Sequence, residues 1–169
     1  MTTAQAGPWT THAWGCGGGT LGSCNGYVKK NGKSVTTPEF WIQFEICDDA
    51  GKRAVTYYDE KAGAETTTYV LDYSLGKKEY FEAVYKEACE ITAYLCQKFN
   101  IDPFGEVDFA GIKVPTILCH RDSSDLKLGS AHGDVLEWFK VYGYTMNDVR
   151  NDVAKLMGKE PTPTFKIGD

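Results

Sequence analysis

The amino-acid sequence predicts a single domain of the α/β or α+β class, in which helices pack against a sheet. Two observations support this prediction. Apolar residues recur at helical spacing over one long stretch, and short β-rich runs lie before and after it. A chain of 169 residues has the length of one domain and can bury a core. Helices that alternate with strands in one compact chain form layers of sheet and helix.

The composition is that of an ordinary folded protein, and it excludes some classes of function. Hydrophobic residues make up 42% of the chain, charged residues make up 24%, and the formal net charge is −5. A nucleic-acid-binding protein would show a basic stripe, and the sequence has none. No apolar run has the length of a bilayer span. We therefore expect no nucleic-acid partner and no membrane partner.

The N-terminal segment, MTTAQAGPW, does not have the pattern of a signal peptide. It has neither a basic region nor an apolar stretch. We therefore expect the protein to be made in the cytoplasm, and any action outside the cell to depend on another route of release.

The first forty residues are predicted to be irregular. They are rich in glycine and contain the turn dipeptide Asn-Gly twice, at Asn25 and Asn31. No strand precedes the glycine run, and the spacing of a phosphate-binding loop is absent, so we reject a nucleotide site. Cys16 and Cys24 flank this segment, and the sequence leaves open whether they form a disulfide.

Two β-rich stretches follow. The run EFWIQFEIC, residues 39–47, is predicted to be a strand because aromatic and β-branched residues crowd into a short segment. Residues 51–75 combine the β-formers VTYY and TTTYVLDY with charged residues. They are predicted to form a long excursion from the core.

The clearest element is a helix over about residues 78–99. Its apolar side chains form one stripe with Lys and Glu opposite, and we expect the helix to stop near Asn100. The stripe is expected to pack on the sheet that contains Glu45. Cys89 and Cys96 lie two turns apart on this helix, and we expect them to be small buried hydrophobic residues. The stripe consists of Phe81, Val84, Tyr85, Ala88, Thr92, Leu95 and Phe99.

The C-terminal third alternates again between strand and helix. The run KVPTILCH is predicted to be a buried strand that ends at His120, and the polar loop RDSSDLKLGSAHGD leads from it into a short helix, DVLEWFKVY. Thr145 is expected to cap the last helix, with Asp148 completing a capping box and Gly158 ending the helix. The tail KEPTPTFKIGD has the composition of a linker.

Candidate metal ligands gather in the segment that begins at His120. The chain has three histidines, and two of them, His120 and His132, share this segment with several carboxylates, including Asp134. Imidazole nitrogen and carboxylate oxygen are both zinc ligands, and strand ends in α/β sheets commonly meet ligands. The residue types alone leave other interpretations open: His120 as a hydrogen-bonded structural group, and Asp134 as a helix N-cap.

Glu45 is a further candidate, because it lies in an otherwise aromatic and aliphatic run. A buried carboxylate is costly unless it is paired, binds a metal or faces a cleft. An edge strand with Gln43 and Glu45 both facing solvent explains the same pattern.

Five blocks occur in order between about residues 8 and 158: PWTTHAWGCGG, FEICDD, EYFEAVYKEACEITAYLC, ILCH with LKLGSAHGDVLEWF, and YTMNDVRNDV. Together they resemble the type-2 N-acetylmuramoyl-L-alanine amidases, especially the branch found in bacteriophage lysins. The resemblance implies a peptidoglycan-recognition-like fold, with a central mixed β-sheet flanked by helices. It implies an amidase-like catalytic domain over residues 1–158, followed at 159–169 by a linker and the start of a possible wall-binding module.

The resemblance also implies a zinc-dependent hydrolase of bacterial peptidoglycan, which cleaves the amide bond between N-acetylmuramic acid and L-alanine. His120 and Asp134 take the positions of metal ligands, while Glu45 and His132 take those of catalytic residues. In that scheme Zn²⁺ activates a water molecule, Glu45 takes its proton, and His132 stabilises the negative oxygen. The protein would act at the cell wall after release.

The chain departs from the family pattern near its N-terminus. The family's first zinc histidine lies upstream of the block that begins at Pro8, and His12 matches a histidine that is not a ligand. Two protein ligands are fewer than the three of a usual catalytic zinc. We therefore expect an N-terminally incomplete catalytic domain. The alternatives are a non-catalytic peptidoglycan-recognition module and a purely structural domain.

Overall fold

The computed structural model describes residues 27–30, 33–36, 42, 44–109, 111–126, 133 and 135–160. Helices and antiparallel strands both occur in this part, so the coarse prediction of an α+β protein is confirmed. The helices are α1 (Lys78–Lys98), α2 (His120–Asp125), α3 (Leu136–Val141) and α4 (Met146–Leu156), and a 3-10 turn covers Tyr73–Leu75. None of the helices in the described ranges is long and apolar enough to cross a bilayer.

The strands of the described part pair in three separate antiparallel hairpins. The central mixed sheet expected from the sequence is therefore not among the sheets of this part. The pairs are β1 (Tyr27–Lys30) with β2 (Lys33–Thr36), β3 (Gly51–Asp59) with β4 (Ala64–Asp72), and β5 (Glu106–Phe109) with β6 (Ile112–Pro115).

The prediction that the first forty residues are irregular is wrong for β1 and β2. These strands are in register from Tyr27 opposite Thr36 to Lys30 opposite Lys33. The two residues between them are Asn and Gly in the sequence, and this dipeptide is the strongest short-range signal for a hairpin. The second Asn-Gly pair therefore marks a hairpin where an irregular loop was expected.

β3 and β4 form a hairpin of two nine-residue strands, which corresponds to the excursion expected from the sequence. The strands are in register from Gly51 opposite Asp72 to Asp59 opposite Ala64. The Asp59 carboxylate stabilises the turn, because it accepts hydrogen bonds from two backbone amides of the loop at 2.9 and 3.2 Å. Gly63 closes the turn with a φ of +64°, a conformation that favours glycine.

Helix α1 confirms the clearest prediction from the sequence. It ends at Lys98, and Asn100 beyond it has a left-handed φ of 52°, a conformation in which asparagine can end a helix. The predicted stripe is only partly right, because Ala88 is half-buried and Phe99 is 53% exposed. Two of the buried residues are free cysteines, as expected. The buried positions are Phe81, Tyr85, Cys89, Ala93 and Cys96.

The buried face of α1 packs against helices α3 and α4 and the turn between them. The Phe81 ring meets Trp138 edge-on with centroids 5.1 Å apart, and it stacks on Tyr142 at 4.4 Å. The Tyr85 hydroxyl donates a 2.8 Å hydrogen bond to the Asp152 carboxylate of α4. Aromatic side chains therefore join α1 to α3 and to the turn that follows it, and the Tyr85 hydrogen bond joins α1 to α4.

Glu45 is not part of a regular strand in the described portion of the run 39–47. It forms an isolated β-bridge, and the residues that follow it up to Ala50 have no regular structure. Among the described residues, helices α3 and α4 pack on the buried face of α1, so the expected packing of α1 on a sheet containing Glu45 is not found in this part of the chain. Ile46, one of the apolar residues of the run 39–47, packs against the core. This contact explains an apolar residue at that position without a regular strand.

Helix α2 corrects the prediction of a buried strand that ends at His120. β6 ends at Pro115, and His120 is the first residue of α2. The Asp122 carboxylate accepts a 3.2 Å hydrogen bond from the backbone amide of Cys119, which precedes the helix. This is the acidic half of a capping box. The expected polar loop is therefore helical at its beginning.

Helices α3 and α4 confirm the predictions for the C-terminal segment. The Thr145 hydroxyl accepts a hydrogen bond from the Asp148 amide at 3.3 Å, and the Asp148 carboxylate accepts one from the Thr145 amide at 2.8 Å. Gly158 follows the end of α4 with a φ of +73°. The predicted capping box and the glycine at the end of the helix are both present.

Candidate functional site

Two of the four residues predicted to form the site, Glu45 and His120, belong to the described part of the chain. The other two, His132 and Asp134, lie outside the described residues. The geometry of the candidate site is therefore built from Glu45, His120 and the residues that surround them.

His120 is anchored at the N-terminus of α2 through its backbone. Its carbonyl oxygen accepts a 2.7 Å hydrogen bond from the Ser123 hydroxyl, and the Ser123 amide donates to the carbonyl of Cys119 at 3.2 Å. Ser123 is fully buried, whereas His120 is half-buried. The backbone of His120 is thus fixed from the interior, while part of the residue remains accessible.

A buried ion pair supports the segment that leads into His120. The Arg150 guanidinium of α4 donates to the carbonyl of Ile117 at 2.7 and 3.1 Å, and to the Asp122 carboxylate at 3.2 Å. The two charged side chains are 3% and 10% exposed. Since Asp122 also accepts the amide of Cys119, this pair fixes the backbone immediately before His120.

Burial dominates the electrostatics of this pair. Desolvation raises the pKa of Asp122, although the Cys119 amide and the Arg150 charge act in the opposite direction. Desolvation likewise lowers the pKa of Arg150, against the attraction of Asp122. Burial also raises the pKa of the Cys119 thiol to about 12, so this cysteine is protonated at neutral pH. Removing either member of the ion pair would leave a buried charge without compensation.

The FEICDD block ends in two aspartates that stabilise local structure. Asp48 accepts a hydrogen bond from the amide of Ala50 at 2.9 Å. Asp49 accepts one from the amide of Lys77, at the beginning of α1, at 2.7 Å. The Asp49 bond ties the segment after Glu45 to the N-terminus of α1, and the Asp48 bond stabilises that segment locally.

One apolar core joins the neighbours of both described candidates. Ile46, which follows Glu45, packs against the core cluster that includes Cys119, which precedes His120. Glu45 and His120 are both half-buried. The structure therefore brings the two backbone segments to the same core, and each residue keeps some access to solvent.

Among the described residues, no three His, Cys, Asp or Glu side chains are grouped so that they could hold a metal ion. His132 and Asp134 are not among the described residues, so His120 is the one proposed zinc ligand that this part of the chain includes. The possible disulfide between Cys16 and Cys24 also concerns residues outside the described part.

A pocket of about 310 Å³ opens beside the buried ion pair, and its polar lining includes Asp122, Arg150, Lys140 and Asn147. The charges of Arg150 and Asp122 offset each other, so Lys140 leaves these residues with one net positive charge. The sequence analysis did not identify Asp122 and Arg150 as site residues. Arg150 lies in the block YTMNDVRNDV, and Asp122 lies between ILCH and LKLGSAHGDVLEWF. No local pattern pairs two residues that are 28 positions apart.

Comparisons of the chain with models of protein families, with curated proteins and with solved structures find no match. The resemblance to type-2 amidases therefore rests on the five sequence blocks.

Proposed function

We propose that this chain is a type-2 amidase domain, which hydrolyses the bond between N-acetylmuramic acid and L-alanine in peptidoglycan with a water molecule activated by Zn²⁺. The five sequence blocks support the proposal, because their order is that of the family. In this proposal residues 1–158 form the catalytic domain, and its helices flank a central mixed β-sheet of the peptidoglycan-recognition type.

The observation that carries the proposal is the buried support around His120. Burying a charged pair costs several kcal/mol in desolvation, and a surface histidine at the start of a helix does not need such a pair. Here Arg150 and Asp122 fix the backbone before His120, and Ser123 fixes its carbonyl. Rigid support of this kind suits a metal ligand, whose orientation must be held within narrow limits.

The chemistry of the proposed residues fits zinc. His120 would provide an imidazole nitrogen and Asp134 a carboxylate oxygen, and both are zinc ligands. Zinc held there would make the attacking water more acidic and polarise the carbonyl group of the amide. Glu45 takes the proton from that water as general base. His132 donates a hydrogen bond to the carbonyl oxygen as it becomes negative.

The proposed zinc site has fewer named protein ligands than a usual catalytic zinc site. A catalytic zinc normally has three protein ligands, and His120 and Asp134 are two. We expect weak zinc binding unless His12 or a cysteine such as Cys16 provides a third ligand. The same ligand count favours a second candidate function, a recognition module that binds peptidoglycan without hydrolysing it.

Zinc binding and peptidoglycan cleavage, measured side by side, test the proposal. At Zn²⁺ concentrations that saturate a weak site, we expect the chain to bind Zn²⁺ and to release L-alanine amino termini from purified cell walls. We expect His120→Ala to lose both properties. Arg121→Ala is the matched control, because Arg121 is the exposed neighbour of His120 and makes a surface ion pair with Asp125. Wall binding without zinc or cleavage would support the recognition module. Absence of all three would contradict both functions.

A further inference from the structure

The β3–β4 hairpin exposes most of its surface. In β3, the residues from Lys52 to Tyr58 are exposed apart from the half-buried Val55, and in β4 the side chain of Tyr69 is 68% exposed. Among the strands of the described ranges, none pairs with the outer edge of β3 or β4. A two-stranded hairpin is marginally stable on its own, and an open edge presents backbone N–H and C=O groups to a further strand.

We propose that the outer edge of β3 pairs with β3 of a second copy of this chain, antiparallel and in a register centred on Thr56. The pairing joins two hairpins into one sheet with the order β4, β3, β3, β4. It forms roughly six to eight backbone hydrogen bonds between the copies. Because a strand edge buries little area, the dimer is weak and forms reversibly with increasing concentration.

Backbone geometry restricts the possible registers. Along β3, successive residues direct their hydrogen-bonding groups alternately toward β4 and toward the open edge. Two residues that face each other across the new strand pair must both direct these groups toward each other, or both direct them away. The two-fold axis must therefore pass through a residue position and not between two residues. If most of the strand is to be paired, the two-fold axis can pass through Val55, Thr56 or Tyr57.

Charge complementarity selects the centre at Thr56. In this register Arg53 lies opposite Asp59 of the second copy. Lys52 lies opposite Glu60 of the second copy, which is the turn residue that directly follows β3. The two-fold axis repeats both pairs, so oppositely charged residues meet at each end of the paired segment. Cross-strand pairs of this kind stabilise a sheet, and like charges in the same positions destabilise it.

Side chains between the charged ends also match. Val55 lies opposite Tyr57 of the second copy on one face, and Ala54 lies opposite Tyr58 of the second copy on the other. A pair of an aromatic ring with a β-branched residue, as Tyr57 with Val55, is favourable in an antiparallel sheet. Thr56 faces its own copy at the axis.

The other pairings of a strand with its own copy lack this complementarity. Centred on Val55, the register places Arg53 and Lys52 opposite tyrosines, and centred on Tyr57 it places Arg53 opposite Lys61. β4 contains no lysine or arginine among its nine residues, AETTTYVLD, so it cannot form ion pairs with its own copy. Charged side chains on an edge strand generally oppose pairing with other strands. On β3 they favour one register of the strand with its own copy, the register centred on Thr56.

The charged side chains of the proposed pairs have hydrogen-bonding atoms that no contact within their own copy uses, among the contacts of the described residues. Within the described part of the chain, Lys52 and Glu60 make no ion pair, and Arg53 bonds Asp72 through Nε alone, at 3.1 Å. The terminal amino groups of Arg53 are therefore left for the second copy. Asp59 uses one carboxylate oxygen for its turn, and the other oxygen is left to accept from Arg53 of the second copy.

Charge reversal at the exposed pair tests the proposal, with dimerisation of the full chain measured by sedimentation velocity over a range of concentrations. Lys52→Glu places two acidic residues opposite each other, and Glu60→Lys places two basic residues opposite each other. We expect each variant to raise the dissociation constant roughly tenfold, since two pairs per dimer become repulsive. The double variant Lys52→Glu, Glu60→Lys restores opposite charges and should dimerise like the parent. Glu65→Lys on β4 is the matched control, because it makes the same charge change away from the axis.

Mixing the two single variants gives the most specific result. In the mixed dimer the Lys52→Glu chain meets the Glu60→Lys chain with opposite charges at both ends, so the mixture should dimerise although each variant alone does so poorly. Circular dichroism checks that every variant is folded. A parent that stays monomeric, a dimer that is indifferent to charge reversal, or a mixture no better than its components would each overturn the proposal.

Discussion

Two arginines near the candidate site occupy opposite environments. Arg150 is 2% exposed and pairs with the buried Asp122, whereas Arg121 and Asp125 form a pair with about half of each side chain exposed. Arg150→Met leaves Asp122 buried without its partner, so we expect it to lower the free energy of unfolding by about 3–5 kcal/mol. Arg121→Met should lower it by less than about 0.5 kcal/mol. Urea unfolding of both variants measures the difference, and equal losses would contradict the buried support of His120.

The carboxylate of Asp72 allows a prediction about acid stability. Hydrogen bonds from the Ser74 hydroxyl and amide, with a smaller contribution from Arg53, lower the pKa of Asp72 below its ordinary value of 3.8. Since the folded pKa is lower than the unfolded one, the ionised group stabilises the fold above the unfolded pKa. This stabilisation is lost as the pH falls through the folded pKa.

We expect Asp72→Asn to remove this part of the acid dependence below about pH 4. Thermal unfolding of the parent and the variant, compared from neutral to acidic pH, measures it. Glu65→Gln is the control, because Glu65 is an exposed acid of the same hairpin. Parallel pH profiles for Asp72→Asn and the parent would show that the Ser74 bonds do not stabilise the ionised carboxylate.

Helix α1 provides a matched pair of substitutions on neighbouring faces. Ala93 is 5% exposed within the core, whereas Ala88 is half-buried. Ala93→Glu places an unpaired carboxylate in the core, and we expect a loss of more than about 3 kcal/mol in the free energy of unfolding. At Ala88 the same change leaves the carboxylate access to water, and we expect a loss of less than about 1 kcal/mol. Thermal melting distinguishes them, and a more severe effect at Ala88 would favour the stripe expected from the sequence.

Elements with a periodic apolar face could be predicted from the sequence. The long helix α1 has apolar residues along one side over about five turns. Helix α4 has Thr145 as its N-cap residue, and Gly158 follows its end. Both signals are local, since they depend on the spacing of side chains within one element. The bounds of these helices therefore agree closely with the prediction.

Elements fixed by distant contacts could not be predicted in this way. α2 has six residues, and its N-terminal segment is held by the bond between Asp122 and Arg150, which are 28 positions apart. A segment this short has little intrinsic helix stability, so the tertiary contact decides its conformation. The segment around Glu45 is mispredicted for a similar reason. Its apolar residues predict a strand, but the segment is irregular and is held by the contact of Ile46 with the core.

The candidate site shows the same division between local and distant information. Glu45 and His120 could be selected from the sequence by residue type and by resemblance, and the structure ties the neighbours of both to one core. The supporting residues Asp122 and Arg150 could not be selected, because their importance depends on burial that only the folded chain produces. The distances from His132 and Asp134 to His120 stay a prediction.

The molecule combines a helical core with a projecting hairpin. The core consists of α1, α3 and α4 around the fully buried Phe81. The hairpin leaves the core at Gly51, where an added Cβ atom would come within 2.7 Å of the Leu75 side chain. Glycine at position 51 therefore permits this close approach at the base of the hairpin. The open edge of β3 provides the proposed contact between two copies.

The rate of peptidoglycan cleavage by Glu45→Gln tests the central claim most directly. Glutamine keeps the size of the side chain but cannot take a proton, and loss of a general base typically lowers the rate by about a hundredfold to ten-thousandfold. With Zn²⁺ present, we expect the parent and the control Glu65→Gln to release L-alanine amino termini at equal rates. We expect Glu45→Gln to fall by that factor, with melting temperature and wall binding unchanged. Equal rates for Glu45→Gln and the parent, or no cleavage by the parent, would contradict the proposed amidase mechanism.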